Sequence, residues 1–109
     1  MGEGEVLIKV LASSVNRIDS MQANGKYPAP AGVTTIGGLD CAGYVVDPKT
    51  LEPVNDHLVM SLLNGGAYAQ YATSPKDLLI AVPMNLKVQE AASIPEVWLT
   101  AYQLLKMVL

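Results

Sequence analysis

Short runs that alternate apolar and polar residues, separated by turn-forming residues, fill the first three quarters of the chain. A side-chain period of two is typical of a strand with one buried face. The first such strand, 6–12, is predicted to carry on one face Val6, Ile8, Val10 and Ala12. Four more strands are predicted at 39–46, 57–63, 67–73 and 78–82, bounded by glycine, proline, asparagine or serine.

Three helices are predicted around these strands. Asn16 suits the N-cap of a short helix that ends at Asn24-Gly25, and residues 87–93 form a second helix. Pro95 suits the start of a third helix, over 96–108, because its missing N–H would have no partner there. One stripe of this helix is apolar: Val97, Ala101, Leu104, Leu105 and Val108. The element order indicates a small β-barrel or sandwich with helical attachments. Because nothing in the chain is left to cover that stripe, we expect a piece of a longer protein.

Composition narrows the possible partners. Half of the 109 residues are hydrophobic, the net charge is −3, and no basic block is present, so nucleic acid is not an expected partner. No apolar run approaches the roughly 18–20 residues of a membrane span, and the start has no basic leader. The one cysteine, Cys41, excludes an internal disulfide and fits a reducing compartment, so we expect a cytoplasmic protein.

Five segments carry a family pattern in their order and spacing: 2–10, 14–19, 25–28, 37–43 and 91–102. The most specific is the Ile-Pro-Glu-Val-Trp-Leu-Thr-Ala run at 94–101. Together they resemble the N-terminal, GroES-like half of the zinc-free quinone oxidoreductases, in the medium-chain dehydrogenase/reductase superfamily. The p53-inducible quinone oxidoreductase subgroup is the nearest in pattern. The resemblance implies that residues 1–109 are a partial GroES-like, alcohol dehydrogenase-like catalytic domain, mainly β with short helices.

The resemblance also implies an activity for a longer parent protein. That protein would be an NADPH-dependent enzyme that reduces quinones or α,β-unsaturated carbonyls by hydride transfer. No Gly-x-Gly-x-x-Gly follows a strand here, so the phosphate cradle of a Rossmann domain is missing and the isolated chain is expected to be inactive. Two alternatives stay open: a zinc-free enoyl-thioester reductase, and a non-enzymatic GroES-like assembly module, although no mobile hydrophobic loop of a ring-forming module is recognisable.

Three residues are implied as the site. Asn16 would contact the nicotinamide ribose and polarise a bound carbonyl, against the simpler interpretation of a plain N-cap. Tyr27, in a proline-rich loop, would line the quinone pocket, or else pack over the loop prolines. Thr100 would reach the cofactor, or else hydrogen-bond back to its own helix. The zinc enzymes of the superfamily carry a cysteine at the position of Asn16 and a Gly-His-Glu at Gly38-Leu39-Asp40, so no zinc is expected.

Other chemistry-bearing residues are expected to be structural. Asp19 is predicted to be a first-turn charge, His57 a turn histidine and Cys41 a buried small hydrophobe. Trp98 and Tyr102, four residues apart, are predicted to form an interdomain core pair. The uncovered apolar helix stripe predicts self-association, most simply as a homodimer.

Overall fold

The computed structural model describes residues 1–25 and 32–108, which contain five strands and three short helices. In chain order they are β1 (Glu5–Ser13), α1 (Arg17–Ala23), β2 (Asp40–Val46), β3 (Val59–Leu62), β4 (Tyr71–Pro75), β5 (Ile80–Ala81), α2 (Val88–Ala92) and α3 (Pro95–Gln103). A 3₁₀ turn (Lys76–Leu78) precedes β5, and a π-helical segment (Leu104–Val108) follows α3. Among these residues, no helix has the length and apolar character needed to cross a membrane.

The strands form one antiparallel sheet in the order β4-β1-β2-β3-β5. Each observed strand overlaps one of the five predicted from alternation, and the helices are short, so the predicted mainly-β class is confirmed. The two outer strands, β4 and β5, each pair on one side only within the described part of the chain. The sheet is therefore an open, partly rolled barrel.

Both faces of the sheet are packed. One face carries an inner cluster of buried residues: Ile8, Cys41, Leu63, Ala67 and Ala72. The other face packs against α2 through Ala42, Met60, Ala91 and Ala92. Cys41 is fully buried, as predicted, and burial raises the pKa of its thiol to about 12, with the nearby charge of Asp40 adding to the shift.

A bulge in β1 corrects the predicted face of Ala12. Val10 pairs with Gly43 and Ala12 with the adjacent Ala42, so Leu11 is an extra residue in β1. Beyond it the side chains change face, and Ala12 packs on the α2 side rather than with Val10. Gly43 belongs to the same feature, because a Cβ at this position would lie 1.9 Å from the carbonyl oxygen of Lys9. The bulge therefore needs glycine on the neighbouring strand.

The predicted strand over 67–73 is wrong in its first half, where the chain makes turns. Ala67 N–H donates to the Gly38 carbonyl (3.2 Å) and Tyr68 N–H to that of Gly37 (3.1 Å). Gly38 has φ +98°, and a Cβ there would lie 2.8 Å from the Tyr68 nitrogen. The glycine pair thus lets residues 67 and 68 pack directly on the backbone that leads into β2.

Candidate functional site

A buried carboxylate, Asp40, lies where the end of β1, the start of α1, the start of β2 and the start of α3 meet. Its side chain is fully buried. Oδ1 accepts hydrogen bonds from Ser14 Oγ (2.5 Å) and Asn16 Nδ2 (3.2 Å), and Oδ2 accepts one from the Glu96 N–H (3.1 Å). One carboxylate therefore joins three separate segments of the chain.

Asn16 occupies the N-cap position of α1, as predicted, with an extended backbone (φ −116°, ψ 161°). Its backbone N–H donates to Asp19 Oδ2 (2.8 Å), and its backbone carbonyl accepts from the Asp19 N–H (3.0 Å). The side chain makes no cap hydrogen bond. Instead Nδ2 donates to Asp40 Oδ1 and to Ser14 Oγ (3.3 Å). The backbone starts the helix, while the amide is held against the buried carboxylate.

Asp19 does more than supply the predicted first-turn charge. Only 7% of it is exposed, and Oδ2 accepts a 2.6 Å hydrogen bond from the Tyr68 hydroxyl. Oδ1 is buried and has no hydrogen-bond partner among the described residues. Burial raises the pKa of Tyr68 to about 12, and the hydrogen bond to Asp19 and the charges of Asp19 and Asp40 add to it. The phenol therefore keeps its proton at neutral pH and donates a hydrogen bond to Asp19.

Glu96 adds a third carboxyl group at the start of α3. Burial raises its pKa, and the charges of Asp40 and Asp19 raise it further. Pro95, just before it, is buried at the first helical position, as predicted. Three carboxyl groups thus face one junction, and burial together with the repulsion between them shifts the pKa of Glu96 upward.

A cleft of about 330 Å³ opens beside this junction, between α1 and α3. Its apolar wall is formed by Ile18, Met21 and Val97, and its polar side by Asn16, Arg17 and Glu96. A mostly apolar cleft with a few polar groups is the usual form of a small-molecule site. A larger cleft of about 460 Å³ lies elsewhere, along β3, β4 and β5. Among the described residues that line it, Glu5 alone is ionisable, so the chemistry of the described part favours the smaller cleft.

One of the three predicted site residues lines this cleft. Asn16 lines the cleft, whereas Thr100 lies exposed on α3, one helical turn beyond Glu96, and does not line it. Tyr27 lies outside the described residues, so its role stays a prediction. His57 is exposed beside Asp56, with 3.8 Å between Nε2 and Oδ1. Trp98 and Tyr102 are both exposed.

Two further residues were missed as site candidates. Tyr68 carried a weak signal, the preceding Gly65-Gly66 turn. Asp40 carried none beyond its position after Gly38-Leu39, because its partners lie 24, 26 and 56 residues away in sequence. Both positions depend on tertiary contacts, which a local pattern does not contain.

The side chains at the positions of the superfamily's zinc ligands do not fit zinc. Leu39 is buried and has no donor atom, and the Asn16 amide nitrogen already donates to Asp40. The described residues contain no group of three or more histidine, cysteine, aspartate or glutamate side chains placed to hold a metal ion. Zinc sites in proteins use histidine, thiolate and carboxylate ligands.

The chain is similar to known proteins over most of its length. Residues 2–84 match the family described as "Alcohol dehydrogenase GroES-like domain". The human "Synaptic vesicle membrane protein VAT-1 homolog-like" is 30% identical over 94% of this chain and 25% of its own length. The "Quinone-oxidoreductase homolog, chloroplastic" of Spinacia oleracea is 36% identical over 93% of this chain and 33% of its own length. The chain thus spans a quarter to a third of these two curated relatives.

Solved structures share the fold. The quinone oxidoreductase from Thermus thermophilus, described with its NADPH complex, superposes with a TM-score of 0.78 at 30% identity, over 96% of this chain and 32% of that one. JamJ enoyl reductase, in its apo form, superposes with a TM-score of 0.79 at 29% identity, over 96% of this chain and 34% of that one. The predicted partial GroES-like fold is confirmed.

Proposed function

We propose that this chain, which belongs to the alcohol dehydrogenase GroES-like domain family, is part of a longer NADPH-dependent oxidoreductase. Its substrates are quinones or α,β-unsaturated carbonyls. The observation that carries the proposal is the cleft between α1 and α3, where the Asn16 amide is held on a buried carboxylate beside an apolar wall. The names of the spinach and Thermus relatives support this substrate class.

The chain's own residues have distinct tasks in this reaction. NADPH, when bound, supplies the hydride. Asn16 binds and orients the nicotinamide-ribose end and the carbonyl oxygen, while Ile18, Met21 and Val97 exclude water from the cleft. Tyr27 donates a hydrogen bond to the substrate oxygen as negative charge develops on it. Thr100 contacts the cofactor from the exposed side of α3.

The proposed reaction proceeds without zinc. Leu39 and Asn16 leave the usual ligand set incomplete, so the stabilisation of the substrate oxygen falls to hydrogen-bond donors. Elemental analysis after dialysis against a chelator tests this directly. Stoichiometric zinc would contradict the proposal.

A second candidate, enoyl-thioester reduction, is favoured by the similarity to JamJ enoyl reductase. Both reactions deliver a hydride to an electron-poor carbon conjugated to a carbonyl group. They differ in the substrate, because a thioester brings a long carrier chain whereas a quinone is a compact planar ring. The substrate range therefore distinguishes them.

The test is a substrate panel with the longer protein that contains this chain. NADPH oxidation is measured with 1,2-naphthoquinone, an enone and an enoyl thioester, and each rate is repeated with NADH. We expect turnover with the quinone or enone and a preference for NADPH. A thioester-only enzyme would support the second candidate, and no turnover with any of the three would overturn both.

Two variants complete the test. Asn16→Ala in the longer protein is expected to lower kcat/KM by roughly 5–150-fold, which corresponds to one lost hydrogen bond of about 1–3 kcal/mol. Asn24→Ala, at the other end of α1, is the matched control and should change it less than twofold. The isolated 109-residue chain is expected to show no turnover.

A further inference from the structure

The hydrogen-bond acceptors around the Asn16 amide are unusually close to each other. Asp40 Oδ1 and Ser14 Oγ lie 3.2 and 3.3 Å from Nδ2, and only 2.5 Å from one another. Seen from Nδ2, these distances place the two acceptors about 45° apart, whereas the two N–H bonds of an amide diverge by about 120°. They therefore share one N–H, which leaves, within the described part of the chain, the second N–H and Oδ1 for other partners.

We propose that Asp40 is a positioning residue that fixes the orientation of the Asn16 amide. A carboxylate only accepts hydrogen bonds, so it holds the amide with nitrogen inward and oxygen outward. A ligand in the cleft that Asn16 lines would then find one acceptor and one donor on the same side chain.

The neighbours of Asp40 cannot perform this task. The Ser14 hydroxyl donates its one hydrogen to Asp40 Oδ1, so it accepts from Nδ2 because Asp40 orients it; without Asp40 it could face either end of the amide. Asp19 hydrogen-bonds only the backbone of Asn16, through its N–H and its carbonyl. Asp40 itself is held from the other side by the Glu96 N–H of α3, and it is fully buried, so its direction is fixed.

The inference rests on the proposed function for its purpose and deepens it. A locked amide offers Oδ1 to a hydroxyl, such as that of a ribose, and N–H to a carbonyl oxygen. A flipped amide would exchange the two and would mismatch both groups. Asp40 would thereby set which polar groups of cofactor and substrate the cleft accepts, without touching either of them.

Side-chain amide NMR of the ¹⁵N-labelled chain tests the orientation without any activity assay. The Asn16 pair of signals is assigned by its loss in Asn16→Ala. We expect the two Nδ2 hydrogens to exchange with solvent at rates at least tenfold apart, because only one is shielded by Asp40 and Ser14. Asp40→Asn should remove the difference, because an amide at position 40 can present either end. Asp19→Asn is the matched control, with the same charge change, and should preserve it.

Equal exchange rates in the unsubstituted chain would overturn the proposal, even if Asp40→Asn fails to fold. So would a difference that survives in a folded Asp40→Asn. Ser14→Ala supplies the second comparison. One Nδ2 hydrogen of Asn16 should still exchange slowly in this variant. If neither does, Ser14 rather than Asp40 orients the amide. Because these measurements need no substrate or cofactor, they can fail while the reductase proposal stands, and the reverse also holds.

Discussion

Ser61 Oγ and Ser74 Oγ lie 2.8 Å apart, and both side chains are fully buried. Ser61 is in β3 and Ser74 in β4, which are separated in the sheet by β1 and β2. In a flat sheet, three strand spacings of about 4.8 Å would place them roughly 14 Å apart. The contact therefore records how strongly the sheet rolls, so that β3 and β4 face each other across the interior.

Removal of either hydroxyl is expected to destabilise the chain by about 1 kcal/mol. Each hydroxyl also reaches a main-chain oxygen, Leu62 for Ser61 (3.5 Å) and Pro75 for Ser74 (3.3 Å), which limits the loss. Urea unfolding of Ser61→Ala, Ser74→Ala and the double variant should give a coupling of about 0.5–1.5 kcal/mol. The exposed Ser20→Ala is the control. Additive single effects would show that the two hydroxyls do not interact.

Gly43→Ala is expected to destabilise the chain by about 3 kcal/mol or more, because the added Cβ would lie 1.9 Å from the Lys9 carbonyl oxygen and the backbone would have to move. Urea unfolding measures the loss. Gly2→Ala is the matched control, since its Cβ would make only an ordinary 3.4 Å contact with Glu5. A loss below about 1 kcal/mol would mean that the bulge in β1 relaxes easily.

The sequence predicts strand positions well because burial on one sheet face has a local signature, the alternation of apolar and polar residues. It does not predict the bulge at Leu11, which depends on pairing with β2, although Gly43 was a sign of close backbone approach. The turns at 67–70 were missed for the same reason, since the N–H groups of Ala67 and Tyr68 donate to Gly38 and Gly37, some thirty positions earlier.

In the candidate site, too, local sequence predicts backbone position but not side-chain contacts. Asn16 could be placed at a helix start from its neighbours in sequence, and the structure puts it there. Its side-chain direction could not, because that depends on Asp40, 24 residues further on. Oδ2 of Asp19 likewise accepts its hydrogen bond from Tyr68, 49 residues away. Long-range hydrogen bonds decide what these polar groups do, and residue types alone do not specify them.

Cys41 is expected to be inert toward thiol reagents in the folded chain. The rise of its pKa from 9.0 to about 12 lowers the thiolate fraction at neutral pH roughly a thousandfold, and its complete burial blocks access. The reaction rate with a disulfide reagent is measured in buffer and in denaturing urea, which serves as the internal control. A folded-state rate close to the unfolded rate would contradict the burial of this thiol.

The unsubstituted chain is expected to lose stability as pH rises, and Glu96→Gln is expected to abolish this loss. In the folded chain, burial and the charges of Asp40 and Asp19 raise the pKa of Glu96, so the folded state binds this proton more tightly than the unfolded state. The contribution of this proton to the stability of the fold is fully present below the ordinary glutamate pKa of about 4.3, and it is lost as pH rises through the raised pKa. Thermal unfolding between pH 4 and 7 should show the variant gaining on the unsubstituted chain toward neutral pH. The exposed Glu52→Gln should show no such trend, and a parallel pH profile for Glu96→Gln would contradict the shift.

Self-association is expected through α3 and the segment that follows it. Trp98, Tyr102 and Leu105 are 66%, 62% and 65% exposed, at spacings of four and three residues that place them along one side of a helix. Apolar surface of this kind usually marks an interface, and a symmetric dimer is the simplest closed arrangement. Sedimentation velocity at several concentrations should show a dimer above micromolar protein. Trp98→Ser with Leu105→Ser should shift the chain to monomer, whereas Val15→Ser, at an 83% exposed residue before α1, should not. A dimer that survives the double substitution would point instead to the single-sided strands β4 and β5 as the contact, because unpaired strand edges also pair between chains.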